Sequence, residues 1–236
     1  MVWLVTERRP RVKAAERRLH FLHIGKTGGT AVKQCLQDNA GATDYELLLH
    51  GHDVTLRDVP RGEKILFVIR DPLTRFVSGF NGRMREDLPR YHYPWKDAER
   101  MAFERFTTPD DLARALSSDD REERLAAEHA MRNIGHVNTP YSYWFGDERA
   151  VRKRLPDIFF IGFQDRLDDD FELLKRKLDL PAEARLPSEE IAAHRTPLGF
   201  SQYLGDEARA NLERWYADDL DFVALCRELA PSVNGV

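Results

Sequence analysis

Four short apolar runs, at residues 21–24, 45–49, 65–69 and 158–161, read as β-strands. None alternates polar with apolar positions. Unbroken apolar strands are what a parallel sheet covered on both faces requires, and the intervals between these runs are long enough for crossover helices. The pattern therefore predicts an α/β fold. A first crossover helix should begin near Thr30, with Ala31, Val32, Cys35 and Leu36 on its apolar side. Another should begin at Asp71-Pro72, where Asp caps a helix and Pro suits its first position. From Arg83 to about His136 charged helical stretches replace strand-like runs, which predicts a helical insertion over about 83–149. Beyond the fourth strand, residues 167–178 and 206–229 have helical spacing, with Ala208, Leu212, Trp215, Tyr216, Leu220 and Val223 on the buried side of the second. A single domain over 1–236 is expected, with its core at 19–82 and 150–236.

Composition narrows the class. The chain has 236 residues, 42% hydrophobic and 32% charged, with 14 Gly and 12 Pro and no low-complexity tract, so disordered and disulfide-stapled classes drop out. The longest unbroken aliphatic and aromatic run, residues 65–69, falls far short of the roughly 20 residues of a membrane span. The N-terminus has a short apolar patch before its charges and no small-residue cleavage site, so a cytoplasmic location is expected. A net charge of −4 argues against a dedicated nucleic-acid binder. Cys35 and Cys226 fit no metal-ligand spacing and read as packed, reduced thiols.

In open parallel sheets, ligands bind beyond the carboxyl ends of the strands. Strand one runs into Gly25-Lys26-Thr27-Gly28-Gly29-Thr30, strand two into His50-Gly51-His52, strand three into Arg70-Asp71-Pro72 and strand four into Gly162-Phe163-Gln164-Asp165. The first segment has the makings of an anion cradle: glycines let backbone amides approach, a helix N-terminus follows, and Lys26 adds a charge. It is not a Walker A loop, which would place Gly where His20 stands, and no strand ends directly in a magnesium-holding Asp. Nucleotide binding without a metal is the expectation. In RDPLTRFVSGF, Arg70 leaves the strand at the ligand edge and Ser78 follows two turns into the next helix, with Arg75 at i−3. An Arg with a hydroxyl suits a phosphate monoester. Equally open from spacing alone are an Arg75–Asp71 pair and a Ser78 bonded to its own helix backbone.

HIGKTGGT followed by FVIRDPLTRFVSGF resembles the 5′-phosphosulfate loop and 3′-phosphate motif of sulfotransferases that use 3′-phosphoadenosine 5′-phosphosulfate (PAPS). More narrowly, residues 20–82 are similar to the carbohydrate group that includes heparan sulfate 2-O- and 6-O-sulfotransferases and their bacterial relatives. The resemblance implies a P-loop-like three-layer fold, a central parallel sheet flanked by helices. It implies PAPS as donor, adenosine 3′,5′-bisphosphate as product and no required metal. It makes Gly25, Lys26, Thr27, Gly28, Gly29 and Thr30 the 5′-phosphosulfate contacts, and Arg70 and Ser78 the 3′-phosphate contacts. LHGHD resembles the HGH element of the 2-O-sulfotransferases, which implies His52 as base with His50 in support. The expected partner is a hydroxyl-bearing acceptor, a saccharide or glycolipid.

The chemistry of the residues agrees with that assignment. An imidazole titrates in the right range for proton abstraction near neutrality, and Lys26 among backbone amides can stabilise charge on a leaving oxygen. His50 and His52 would share one face if the strand continued, which also suits a metal, although no further ligands can be placed. His23, inside strand one, reads as packed. Tyr91-His92-Tyr93-Pro94-Trp95 and Tyr141-Ser142-Tyr143-Trp144-Phe145 are aromatic clusters suited either to stacking a sugar ring or to ordinary packing. Arg195, in HRTP, is a candidate late contact to the cofactor. A magnesium-dependent P-loop kinase or NTPase and a non-catalytic nucleotide-binding protein, the latter using the basic segment 8–18, are the competing classes.

Overall fold

The computed structural model describes residues 18–89, 91–187 and 200–235. Its sheet has four parallel strands, β1 (Arg18–Leu22), β2 (Glu46–Leu49), β3 (Lys64–Ile69) and β4 (Ile158–Phe163), in the order β2-β1-β3-β4. All four predicted strands are present. β1 lies earlier than its apolar run suggested, because its ladder opens with Arg18 opposite Glu46 and ends with Leu22 opposite Phe67. Residues 23–24 leave the ladder to enter the glycine loop, and β4 runs two residues further than its aliphatic stretch.

The continuous apolar strands are explained by cover on both faces. On one face Leu22, Ile65, Phe67, Ile69 and Ile161 pack with Tyr141, Phe145 and the C-terminal helix residues Phe222, Cys226 and Leu229. On the other, Leu19, Phe21, Leu66, Val68 and Phe160 meet α1 (Gly29–Asp38) through Val32 and Leu36, and α8 (Leu167–Lys177) through Phe171 and Leu174. Helix, sheet, helix makes three layers. The free thiols of Cys35 and Cys226 are buried on opposite faces.

The helical insertion contains α3 (Asp97–Arg105), α4 (Pro109–Ala115) and α5 (Arg121–Asn133), followed by α6 (Tyr141–Phe145) and α7 (Glu148–Arg154). The first three share a third apolar cluster with α2 (Pro72–Met84) and α9 (Asp206–Trp215), so the insertion is fastened to the elements on either side of it. The expected single helix over 206–229 is two, α9 and α10 (Ala217–Asn234). Tyr216 breaks it with ψ near 27°, and its hydroxyl donates to the Val137 carbonyl at 2.9 Å. Asp71 caps α2 by accepting from Thr74 N at 2.9 Å, with Pro72 at the first helical position as predicted.

Candidate active site

Parallel pairing brings the carboxyl ends of all four strands to one edge, and the glycine loop after β1 lies at its centre. Two left-handed residues, Lys26 (φ 66°) and Gly28 (φ 85°), turn this loop so that α1 starts at Gly29. No side chain caps α1 and no acidic residue stands in its first turn, so its first amides and positive end are open to an anion. Two glycines are sterically required. A Cβ on Gly29 would lie 2.7 Å from the His23 ring, and one on Gly25 would lie 2.7 Å from His136 Nδ1. These residues fit a phosphate group. The Thr27 side chain does not belong to that cradle: it is buried, and its hydroxyl donates to the Ile24 carbonyl at 3.0 Å. Thr30 Oγ1 lies 3.4 Å from His23 Nε2.

Lys26 is not a loose charge. Its ammonium donates to Asp87 Oδ1 at 3.0 Å, while Asp87 Oδ2 accepts from Arg83 at 2.8 Å. Arg83 also makes a two-pronged contact with Glu99, at 2.7 and 2.8 Å, and Glu99 accepts from the backbone of Gly135 at 3.0 Å. Burial lowers the Lys26 pKa, against the opposing pull of Asp87. Lys26 and Arg83 outweigh burial at Asp87 and hold its carboxyl down at about 2. A Cβ at Gly82 would collide with Lys26 Nζ. The chain turns into this network through two successive left-handed residues, Glu86 and Asp87.

At the end of β3, Arg70 is held through its backbone. Its N–H donates to the Tyr141 hydroxyl at 2.9 Å, and that hydroxyl donates to the Arg70 carbonyl at 2.6 Å. Burial keeps the Tyr141 pKa above its ordinary value, so the hydroxyl stays protonated. The guanidinium bonds Thr74 Oγ1 at 3.0 Å and reaches the Lys26 carbonyl at 3.4 Å, which puts it against the glycine loop. Ser78 is half-buried and makes no side-chain hydrogen bond to a described residue. Arg75 does not pair with Asp71. It is buried, donates from Nε to the Gly25 carbonyl at 3.0 Å, stacks over Tyr141 and Trp144, and faces Asp219 at 3.9 Å.

The histidines separate into two groups. β2 stops at Leu49, so His50 and His52 do not continue a strand face. His50 Nε2 lies 2.8 Å from His20 Nδ1, and His20 Nε2 lies 2.5 Å from Glu63, so His50 joins that chain and does not support His52. His52 turns to the glycine loop. Its Nδ1 lies 2.7 Å from the His23 carbonyl, its ring is 4.2 Å from the His23 ring and 5.8 Å from His136, and its own carbonyl accepts from Trp144 Nε1 at 2.8 Å. The protein around the ring withholds water from the charged form and lowers the pKa, and Lys26, Lys33 and Arg75 reinforce the shift. A cavity of about 450 Å³ opens here, lined by Gly25, His52, His136, Asn138, Tyr143 and Trp144 among others.

The family model described as the Sulfotransferase family matches residues 12–222. The chain belongs to that family. A search of curated proteins finds no match. As a sulfotransferase it carries out sulfuryl transfer to a hydroxyl-bearing acceptor, and the three-layer parallel-sheet architecture agrees with that membership. No helix among the described residues is long and apolar enough to cross a membrane.

The aromatic clusters divide between packing and the cavity of the sulfotransferase. Tyr141 and Phe145 are core residues, Tyr143 is half exposed at the cavity, and Trp144 is a buried hinge between the cavity and the HGH segment. Tyr91 and Tyr93 are exposed, whereas Trp95 packs on Phe103. Arg195 and nearly all of the basic segment 8–18 lie outside the described residues. Sequence reasoning missed Asp87, Tyr141 as the clamp on Arg70, Trp144 as the anchor of His52, and His136. The one advance signal was weak: each is a polar or amphipathic side chain inside or beside an otherwise helical stretch.

Proposed function

We propose that the protein moves the sulfuryl group of PAPS to a hydroxyl of a carbohydrate or glycolipid acceptor, with His52 as general base. The observation that carries this reading is the 2.7 Å contact between His52 Nδ1 and the His23 carbonyl. A carbonyl can only accept, so Nδ1 carries the proton and Nε2 keeps its lone pair. The base is therefore in its reactive tautomer beside the glycine loop, and its lowered pKa keeps it neutral at physiological pH.

When bound, PAPS supplies the sulfuryl group and leaves as adenosine 3′,5′-bisphosphate. The amides of Gly25 to Thr30 and the start of α1 hold the 5′ side, with Lys26 as the cation near the leaving oxygen. Arg70 and Ser78 hold the 3′-phosphate, Arg70 being steadied by Tyr141. His52 Nε2 takes the acceptor's hydroxyl proton. The carbohydrate reading, like the resemblance to heparan sulfate 2-O- and 6-O-sulfotransferases and their bacterial relatives, draws support from the half-exposed Tyr143 ring, which lines the cavity together with Asn138.

The test is transfer of labelled sulfate from PAPS to a panel of saccharides, glycolipids, phenols and small alcohols, with calorimetry of adenosine 3′,5′-bisphosphate in EDTA. Transfer to a saccharide or glycolipid is expected, with His52→Ala lowering turnover by about 10² to 10⁴-fold and leaving bisphosphate affinity nearly intact. Near-normal turnover in a folded His52→Ala protein would remove the base assignment. Strict magnesium dependence with preference for ATP would remove the PAPS reading.

A further inference from the structure

His136 lines the same cavity as His52, its ring centroid 5.8 Å from that of His52. Its backbone is left-handed, φ 66°, a conformation uncommon for any residue with a side chain, although Asn, Asp and His enter it more readily than the others. Such a conformation persists where surrounding structure enforces it. Here the enforcement is visible on both sides. Glu99, locked by Arg83, accepts from Gly135 N at 3.0 Å. The carbonyl of Val137 accepts from the buried Tyr216 hydroxyl at 2.9 Å, and Asn138 N bonds Ile134 O at 3.0 Å. Beneath it, Gly79 leaves room for the His136 backbone and Cβ, and Gly25 leaves room for the ring.

The ring makes no hydrogen bond to a described residue, although it lies in the wall of the cavity. A histidine kept for packing would not need its two ring nitrogens. We propose that His136 is a second acceptor-contacting residue, whose imidazole hydrogen-bonds the acceptor and holds its reacting hydroxyl against His52 Nε2. The inference rests on the transfer reading above and extends it to the acceptor side.

The groups around His136 suit a neutral partner for a hydroxyl. From the glycine loop it faces Lys26, from the HGH segment His52, from α2 Arg75, and from the turn after α2 Asp87. Burial, helped by Lys26, His52 and Arg75 and opposed by Asp87, pushes its pKa down to about 3. The ring therefore stays uncharged across the working range, with one nitrogen to donate and one to accept. The two imidazoles meet edge-on with centroids 5.8 Å apart and line one cavity, so a hydroxyl bound in it can reach both, one as base and one as positioning contact.

The test uses His136→Gly and His136→Asn, both of which accept a left-handed backbone. Transfer kinetics against both substrates, bisphosphate calorimetry and thermal melting are measured on each. The expected result is a loss of about 10- to 100-fold in acceptor kcat/KM, the usual worth of one or two positioned hydrogen bonds. Bisphosphate affinity should stay within about threefold, and the melting temperature should stay close to that of the wild type, because Gly and Asn both fit the left-handed backbone and the lost ring makes no hydrogen bond to a described residue. A residue kept only for structure would give the opposite pair, a lower melting temperature with intact kcat/KM. Unchanged acceptor kcat/KM in a folded variant would overturn the proposal while leaving PAPS-dependent transfer standing. A parallel loss of bisphosphate affinity would overturn it by placing His136 on the donor side. Wild-type protein that transfers no sulfate to any acceptor would instead sink the transfer reading itself.

Discussion

Replacing Asp87 with Asn should make the protein less stable and its donor site tighter. Asp87 is shared between Lys26 and Arg83 at 3.0 and 2.8 Å, with little of any of the three side chains exposed. Its backbone is left-handed, φ 61°, a region Asn enters readily, so the turn survives the exchange. What is lost is one negative charge between two cations. Arg83 keeps Glu99, so Lys26 suffers most. A hydrogen bond to a charged group contributes about 1.5–3 kcal/mol, and the Asn oxygen retains part of one contact, so destabilisation of about 2–3 kcal/mol follows. For a chain of this length, with an unfolding entropy of about 0.5 kcal/mol per degree, that lowers Tm by about 4–6 °C. In the same variant Lys26 no longer has to leave a carboxylate before meeting a phosphate. Affinity for adenosine 3′,5′-bisphosphate should rise by about three- to tenfold, the equivalent of about 0.7–1.4 kcal/mol.

The acid range supplies an internal check. Because the folded-state pKa of Asp87 is depressed to about 2, its stabilisation is complete above the ordinary value of 3.8 and is lost as pH falls through about 2. The stability gap between wild type and variant should therefore close over that window. Differential scanning fluorimetry across pH and calorimetry at neutral pH are the assays. An unchanged Tm would mean that the ion pair carries no net stability. A folded variant with weaker bisphosphate binding would mean that Asp87 supports the donor site and does not compete for Lys26.

Two further outcomes follow from single contacts. Tyr141→Phe keeps the buried ring but strips both partners from the Arg70 backbone, so urea denaturation should show a loss of about 2–4 kcal/mol, with weaker bisphosphate binding; wild-type stability would refute the clamp. In the free enzyme, kcat/KM should fall as acid protonates His52, and because its pKa is held below 6.5 the midpoint of the fall should lie below that pH; a midpoint above 6.5 would assign the limb to another group.

Much of the architecture was legible because strands and helix starts are written within short windows. Four continuous apolar runs can only be buried on both faces, and Asp71-Pro72 marks a helix start whatever lies around it. Parallel pairing of those runs then collects their following loops at one edge, which is why GKTGGT, HGH and RDP read as one site from the sequence alone. The break at Tyr216 was not legible, because the periodicity of 206–229 is uninterrupted and the kink answers to a carbonyl 79 residues away.

The side-chain level divides the same way. Sequence alone determined which loops carry chemistry, and that a glycine loop with Lys26 and an edge Arg70 suits an anion, because backbone freedom and charge belong to the residue types themselves. Only the tertiary structure decided that Thr27 turns inward, that His50 pairs with His20 while His52 faces the loop, that Lys26 is held by Asp87, and that a left-handed His136 meets His52. Those choices depend on neighbours between 3 and 84 residues distant. At most of them a hydrogen bond or ion pair forms only after packing has excluded water, and no local pattern in the chain records which partner packing will bring.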